Sequence, residues 1–411
     1  MSVTEFSTIT PDGHVHEDSS LAYAYLPAPT VQSHAANLMT LGNGDLGCVW
    51  FGGTQEGVAD ISIYFSTLQR LADGQWARSW STAQQLSSDS TRSEQNPILY
   101  RHGEELWLIY TAQHAGNQDT SEVRRRISTD DGQNWSEPET LFAATEHGGV
   151  FVRQPPVQVG ERLMIPIFRC ATVPGQKWVG DFDDSALMVS TDGGATWSEQ
   201  IIEGSTGCVH MNVAALADGS LLALYRSRWA DWIYASRSED GGVTWSVPEA
   251  TELPNNNSSI QFVALGDGRL ALIYNHSQAD EHTERRLSLY DEIDDEGLDS
   301  SVDGPVAFEP VPTQDGAERK AFWGTPRAPL TVAISSDQGR SWPERRNLEV
   351  GDGYCLSNNS REGLNREFSY PSIHEGQDGA LHLAYTYFRQ AIKYVRIDPS
   401  WVGAQDGGAD A

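Results

Sequence analysis

An octapeptide that recurs four times constrains the fold more than any other feature of the chain. It occupies residues 128–135 (STDDGQNW), 190–197 (STDGGATW), 238–245 (SEDGGVTW) and 335–342 (SSDQGRSW). Asp and Gly accept a tight turn and the Trp ring packs beneath it, so each copy reads as a hairpin device at a blade edge rather than as chemistry. A second phrase, strand, Gly-containing turn, strand, lies upstream of the copies, as in residues 212–225 (NVAALADGSLLALY) and 261–274 (QFVALGDGRLALIY). It recurs without a clean octapeptide at 37–51 and 371–385. Six such phrases begin near His34, Gln95, Arg153, His210, Asn257 and Tyr370, at a spacing of about 50 to 60 residues that means a β-propeller.

The expectation is therefore an all-β chain: a propeller of six four-stranded antiparallel blades. Residues 1–30 close the ring, with 21–26 as the outer strand of the last sheet. Residues 31–400 form the single propeller and 401–411 a disordered tail. The one long interruption, the acidic insertion 277–326, falls between the second and third strands of the fifth sheet. It is either a solvated flap over one face or a seventh, degenerate blade. A structural calcium ion there is left open; no other cofactor and no metal site is expected.

Charge narrows the partners. The chain has 411 residues, with 28 basic against 57 acidic, a net of −29. That balance works against nucleic acid and anionic membranes. Only Lys177, Lys320 and Lys393 are lysine, a bias that suits high salt or a GC-rich genome. No run of about eighteen apolar residues occurs and residues 1–10 lack a secretory pattern, so the chain as given reads as cytoplasmic. Cys48, Cys170, Cys208 and Cys355 are widely spaced, which favours buried thiols over zinc or disulfides.

The four octapeptides resemble the Asp boxes of the sialidase superfamily over nearly the whole chain. Sialidases place an arginine after the second strand of the fourth sheet, matched by Arg226 in LALYRSR, and another before the strand leading into a box, matched by Arg327 in TPRAPLTVAISSDQGRSW. Their nucleophilic tyrosine opens the last sheet, matched by Tyr370 in SYPSI. Three departures accompany these matches. His34 stands where sialidases begin the first sheet with an arginine, His210 stands where they carry a glutamate, and the acid aspartate has no clear counterpart beyond Glu56 or Asp60.

Inner strands of a propeller begin at one mouth of its channel, so His34, Gln95, Arg153, His210, Asn257 and Tyr370 should converge there with Arg226 and Arg327 nearby. A cationic mouth on so acidic a protein suits an anionic sugar. Arginines that neutralise a uronate carboxylate, with His34, His210 and Tyr370 as proton-transfer groups, fit β-elimination. Arg153, Arg226, Arg327, Asn257 and Gln95 would bind substrate. The phrases RSRWAD (226–231), PNNNSSIQ (254–261) and GCVHMN (207–212) resemble L-rhamnose-α-1,4-D-glucuronate lyases, which implies release of terminal rhamnose from 4-linked glucuronate. Two other readings stay open: an exo-glycosidase with Tyr370 as nucleophile and Glu56 or Asp60 as acid, and a glycan-binding propeller without turnover. Trp229 and Trp232 either stack on a sugar ring or pack the outer strands; residues 255–257 either turn the chain or contact hydroxyls.

Overall fold

Residues 9–18, 20–286, 311–313, 316–355 and 363–404 are described by the computed structural model. Among them, six antiparallel sheets surround one axis as the blades of a propeller, each built on four strands, with His16–Glu17 added at the edge of the last and the inner strand of the third split in two. Blade 1 runs from its inner strand Gln32–Thr40 through Leu46–Gly53 and Ser62–Leu68 to Gln84–Gln85. Blade 2 begins with Ser93–His102 and blade 4 with Cys208–Ala215. Blade 3 has its inner strand in two pieces, Gly148–Val152 and Val157–Val159. Blade 5 begins with Gln261–Ala264, and blade 6 comprises Phe368–Glu375, Leu381–Tyr387 and Ala391–Ile397. The strand Ala22–Tyr25 pairs with Ala391–Ile397, which makes an early strand the fourth of the last blade.

Alternating apolar residues explain where the core lies. Each blade is buried on both faces against its neighbours, so the core is six wedges rather than one mass. One wedge packs Leu222, Leu224 and Trp342 of blades 4 and 5 against Phe262 and Leu272. Another packs Ile273, Val332 and Ile334 of blade 5 against Leu383 and Val395 of blade 6. The four thiols are free and buried within this packing.

The octapeptides close the turn after each third strand, on the face opposite the starts of the inner strands. In every copy the Ser hydroxyl donates to the Asp carboxylate, at 2.8, 2.7, 2.9 and 2.8 Å in chain order. The same hydroxyl accepts the NH of the fifth-position glycine at 2.8, 2.8, 2.9 and 2.9 Å. That glycine has a positive φ, +75° at Gly339, and a side chain there would strike the preceding blade. Its Cβ would lie 2.6 Å from Leu222 at Gly339 and 2.6 Å from Met164 at Gly242. The box therefore fixes blade to blade through its glycine as well as its Trp; only Trp342 of the four rings is fully buried.

Two expectations change. Among the described residues there is no seventh blade, and the insertion is solvated only in part: residues 280–282 are exposed, whereas Ala321 and Trp323 are buried against Phe168 and Trp178. Of the segment expected as a disordered tail, residues 401–403 belong to a short helix, Ser400–Gly403, with Val402 buried. The remaining parts of these assignments, residues 1–8, 287–310, 314–315 and 405–411, lie outside the described residues. Among the described residues no helix is long and apolar enough to cross a membrane.

Candidate active site

The inner strands share one irregularity that builds the site. Those of blades 1, 2, 4 and 6 each slip register near their start, between His34 and Asn37, Gln95 and Ile98, Val209 and Asn212, and Ser369 and Ser372. Within each bulge one residue adopts a left-handed backbone: Ala35, Asn96, His210 and Tyr370 at φ of 59°, 49°, 55° and 49°. Asn257, ahead of the blade 5 strand, has φ 56°. Bulges re-aim side chains, and bulky residues with positive φ carry strain of about 1 to 3 kcal/mol that surrounding structure must hold. Here they turn His210 and Tyr370 into the centre. The sequence comparison set His34 and His210 at equivalent places. The bulges put them one residue apart in register, His34 before the left-handed position and His210 on it.

Tyr370 is the hub. Its ring centroid lies 5.5, 5.6 and 5.5 Å from the guanidinium carbons of Arg153, Arg226 and Arg327, and 4.3 Å from the His34 ring. Arg226 Nη1 donates to the Tyr370 hydroxyl at 2.6 Å and its Nε donates to Asn257 Oδ1 at 2.8 Å. Its Nη1 also lies 3.4 Å from His210 Nε2. Arg226 Nη2 has no partner among the described residues. His34 Nδ1 sits 2.7 Å from Thr386 Oγ1, while His34 Nε2 and His210 Nδ1 are buried without partners there.

Electrostatics set the protonation states. Burial first, then the nearby guanidiniums, hold both imidazoles far below 6.5: Arg389 is the largest charge at His34 and Arg226 at His210. Both are therefore neutral. Burial also brings Arg153 and Arg226 down to about 10. Glu367 stays ionised because Arg389 and Arg327 outweigh the burial that would raise it.

The expected binding residues do not all converge. Arg153 reaches the axis, but its Nη2 donates to the carbonyls of Ala36, Tyr370 and Pro371 at 3.1, 3.0 and 3.1 Å. It clamps blades 1 and 6, and only Nη1 is left over. Arg327 pairs with Glu367 at 3.2 Å. Asn257 orients Arg226, and Asn255 holds the loop by accepting from the NH groups of Ser227 and Asn257. Gln95 donates to Ser93 Oγ at 2.9 Å within blade 2. Trp229 lies under Arg319, whereas Trp232 is partly exposed. Glu56 is bound by Arg389 at 2.5 Å, and Asp60 is an exposed acceptor for the Thr54 NH.

Sequence reasoning missed Arg389, Glu367, Arg228, Asp183 and Trp323. Arg389, in the turn between the second and third strands of blade 6, joins Glu367 at 2.8 Å to Glu56. Arg228 is held by Asp183 at 2.6 Å, and Trp323 lies 5.0 Å above it. No sequence signal marks Arg389; in the structure Phe388 and Arg389 both have positive φ in a turn where Asn and Gly are ordinary. Around Tyr370, five buried guanidiniums, of Arg153, Arg226, Arg228, Arg327 and Arg389, face three buried carboxylates, of Glu56, Asp183 and Glu367. The excess is two positive charges, and neither Arg153 nor Arg226 has a carboxylate partner. Among the described residues no group of three or more His, Cys, Asp or Glu side chains is placed to hold a metal ion.

A BNR repeat-like domain matches residues 44–383. The chain belongs to the BNR repeat-like family. No curated protein matches it in sequence. Among solved structures it is similar in fold to a Hadza microbial sialidase, at 13% identity and TM-score 0.64, covering 91% of this chain and 67% of that one. The intramolecular trans-sialidase from Ruminococcus gnavus matches at 14% identity and TM-score 0.59, covering 93% of this chain and 98% of that one. A protein of unknown function from Dyadobacter fermentans matches at 14% identity and TM-score 0.62, with the same coverage. These likenesses establish the sialidase-type propeller of this BNR repeat-like protein.

Proposed function

We propose that this BNR repeat-like protein is a carbohydrate-active lyase that releases a terminal sugar, L-rhamnose in the first instance, from O4 of a glucuronate by β-elimination. The observation that carries the reading is the pair of neutral imidazoles, each with an unpartnered buried nitrogen, beside a tyrosine whose hydroxyl is bonded to a guanidinium rather than to a carboxylate. Arg226, with its free Nη2, takes the uronate carboxylate and stabilises the charge that grows on it as the C5 proton leaves. An imidazole nitrogen receives that proton; the C5–H electrons form the C4=C5 bond and the C4–O4 bond breaks. Tyr370 Oη accepts from Arg226, so its own proton is free for the departing oxygen.

A second reading, a tyrosine-nucleophile exo-glycosidase, is favoured by the three guanidiniums around the Tyr370 ring and by the sialidases among the similar structures. Against it, Glu56 is bound by Arg389 and Asp60 is exposed at the Thr54 NH. Incubation with rhamnose-capped glucuronate oligosaccharides and with sialosides, read by released monosaccharide and by ultraviolet absorbance, separates the two. Elimination yields an absorbing 4,5-unsaturated uronate; hydrolysis yields none. Affinity without product would identify a binding propeller.

A further inference from the structure

Arg226 shares with Arg153 a set of only neutral partners, but where Arg153 is held mainly by backbone carbonyls, Arg226 is oriented by side chains. Arg228 is fixed by Asp183, Arg327 by Glu367, and Arg389 by Glu56 and Glu367. Arg226 has the Asn257 amide and the Tyr370 hydroxyl on its edge. A ring also flanks it: the Trp323 centroid lies 5.5 Å from the guanidinium carbon, within cation–π range.

Trp323 comes from the insertion and lies between two guanidiniums, 5.0 Å from that of Arg228 and 5.5 Å from that of Arg226. Its Nε1 donates to Val179 O at 2.9 Å and Phe322 N donates to Arg228 O at 2.7 Å. Asn257 makes the connection direct: its Oδ1 receives Arg226 Nε while its Nδ2 donates to Phe322 O at 2.9 Å. One amide thus couples the insertion to the cation. We infer that Trp323 is a positioning residue which holds the Arg226 fork with Nη2 presented to the substrate carboxylate, so that the insertion sets affinity for the acidic sugar. The inference rests on the reading above that Arg226 binds that carboxylate.

The test uses the full chain and sodium D-glucuronate, with affinity measured by calorimetry and melting temperature by circular dichroism. Trp323→Phe keeps an aromatic face, whereas Trp323→Leu fills similar space without one. The Phe variant is expected to bind within about threefold of wild type and the Leu variant about tenfold to thirtyfold more weakly, at similar melting temperatures. On turnover the Leu variant raises KM while kcat changes less. Equal affinities for the Leu and Phe variants overturn the inference, because packing alone would then suffice. If Arg226→Ala binds glucuronate as tightly as wild type, the carboxylate is held elsewhere, and the parent reading falls together with this one. If Arg226→Ala abolishes binding while Trp323→Leu leaves it intact, only the inference about Trp323 fails.

Discussion

Arg226 and Arg389 are both buried arginines of one site, yet their removal has opposite consequences. Arg226 has no acid partner, so Arg226→Ala orphans no anion and the melting temperature should change little. Activity should fall about 100-fold to 1,000-fold, with poor rescue by Arg226→Lys, because the transition-state contact depends on the fork. Arg389→Ala leaves Glu56 buried without its cation and Glu367 with Arg327 alone, and should cost about 3 to 5 kcal/mol, read by chemical denaturation. Near-equal melting for the two variants would contradict this charge assignment. The imidazoles add a pH signature. Both have folded pKa values below 6.5, so an unfolded chain takes up protons that the folded chain refuses. Their stability contribution is full above 6.5 and is lost as pH falls below it. His210→Asn, which suits a left-handed backbone, should flatten the melting temperature between about pH 5 and 6.5 relative to wild type. An unchanged slope would mean that His210 is already charged.

At the level of blades, the octapeptide joins neighbours through a glycine with no room for a side chain. Gly339→Ala should destabilise the fold by about 1 to 2 kcal/mol from its φ alone, plus the cost of displacing Leu222. It should leave KM intact, because the box lies on the face away from Tyr370; a selective loss of affinity would place the box in the site. The repeats made the fold legible, since six strand-turn-strand phrases give the blade number and the four boxes fix the register. Tyr370, Arg226 and Arg327 were legible because each stands at a fixed offset from a strand or box. The inner-strand bulges were not, because a one-residue slip leaves the apolar alternation on either side unchanged. That slip is why His34 and His210 looked equivalent. The carbonyl-clamping role of Arg153 was not legible, because a buried arginine that serves backbone carbonyls has the same sequence signature as one that serves a ligand. Trp323 and Arg389 escaped notice because a lone Trp in an acidic insertion and a lone Arg in a hairpin carry no spacing signal.

Over the whole molecule, charge is segregated: a net of −29 overall, and an excess of two positive charges at the buried centre. Repulsion among the surface acids is screened by salt while the buried cluster is not. The melting temperature should therefore rise between about 0.05 M and 0.5 M sodium chloride. Over the same range, glucuronate binding should weaken far less than it would at an exposed arginine patch. A melting temperature that falls with salt would mean that surface ion pairs outweigh the repulsion.

The closure of blade 6 by Ala22–Tyr25 also fixes an order of events during translation. That strand leaves the ribosome before the inner strand of blade 1, and its partner Ala391–Ile397 after the inner strand of blade 6. Until then the early strand has an unsatisfied edge and the circle stays open. Tyr370 and Arg389 belong to that same final blade, so a nascent chain with five finished blades still lacks the tyrosine hub and the cation that binds Glu367 and Glu56. The reactive centre and the mechanical seal of the ring are thus completed in one late step.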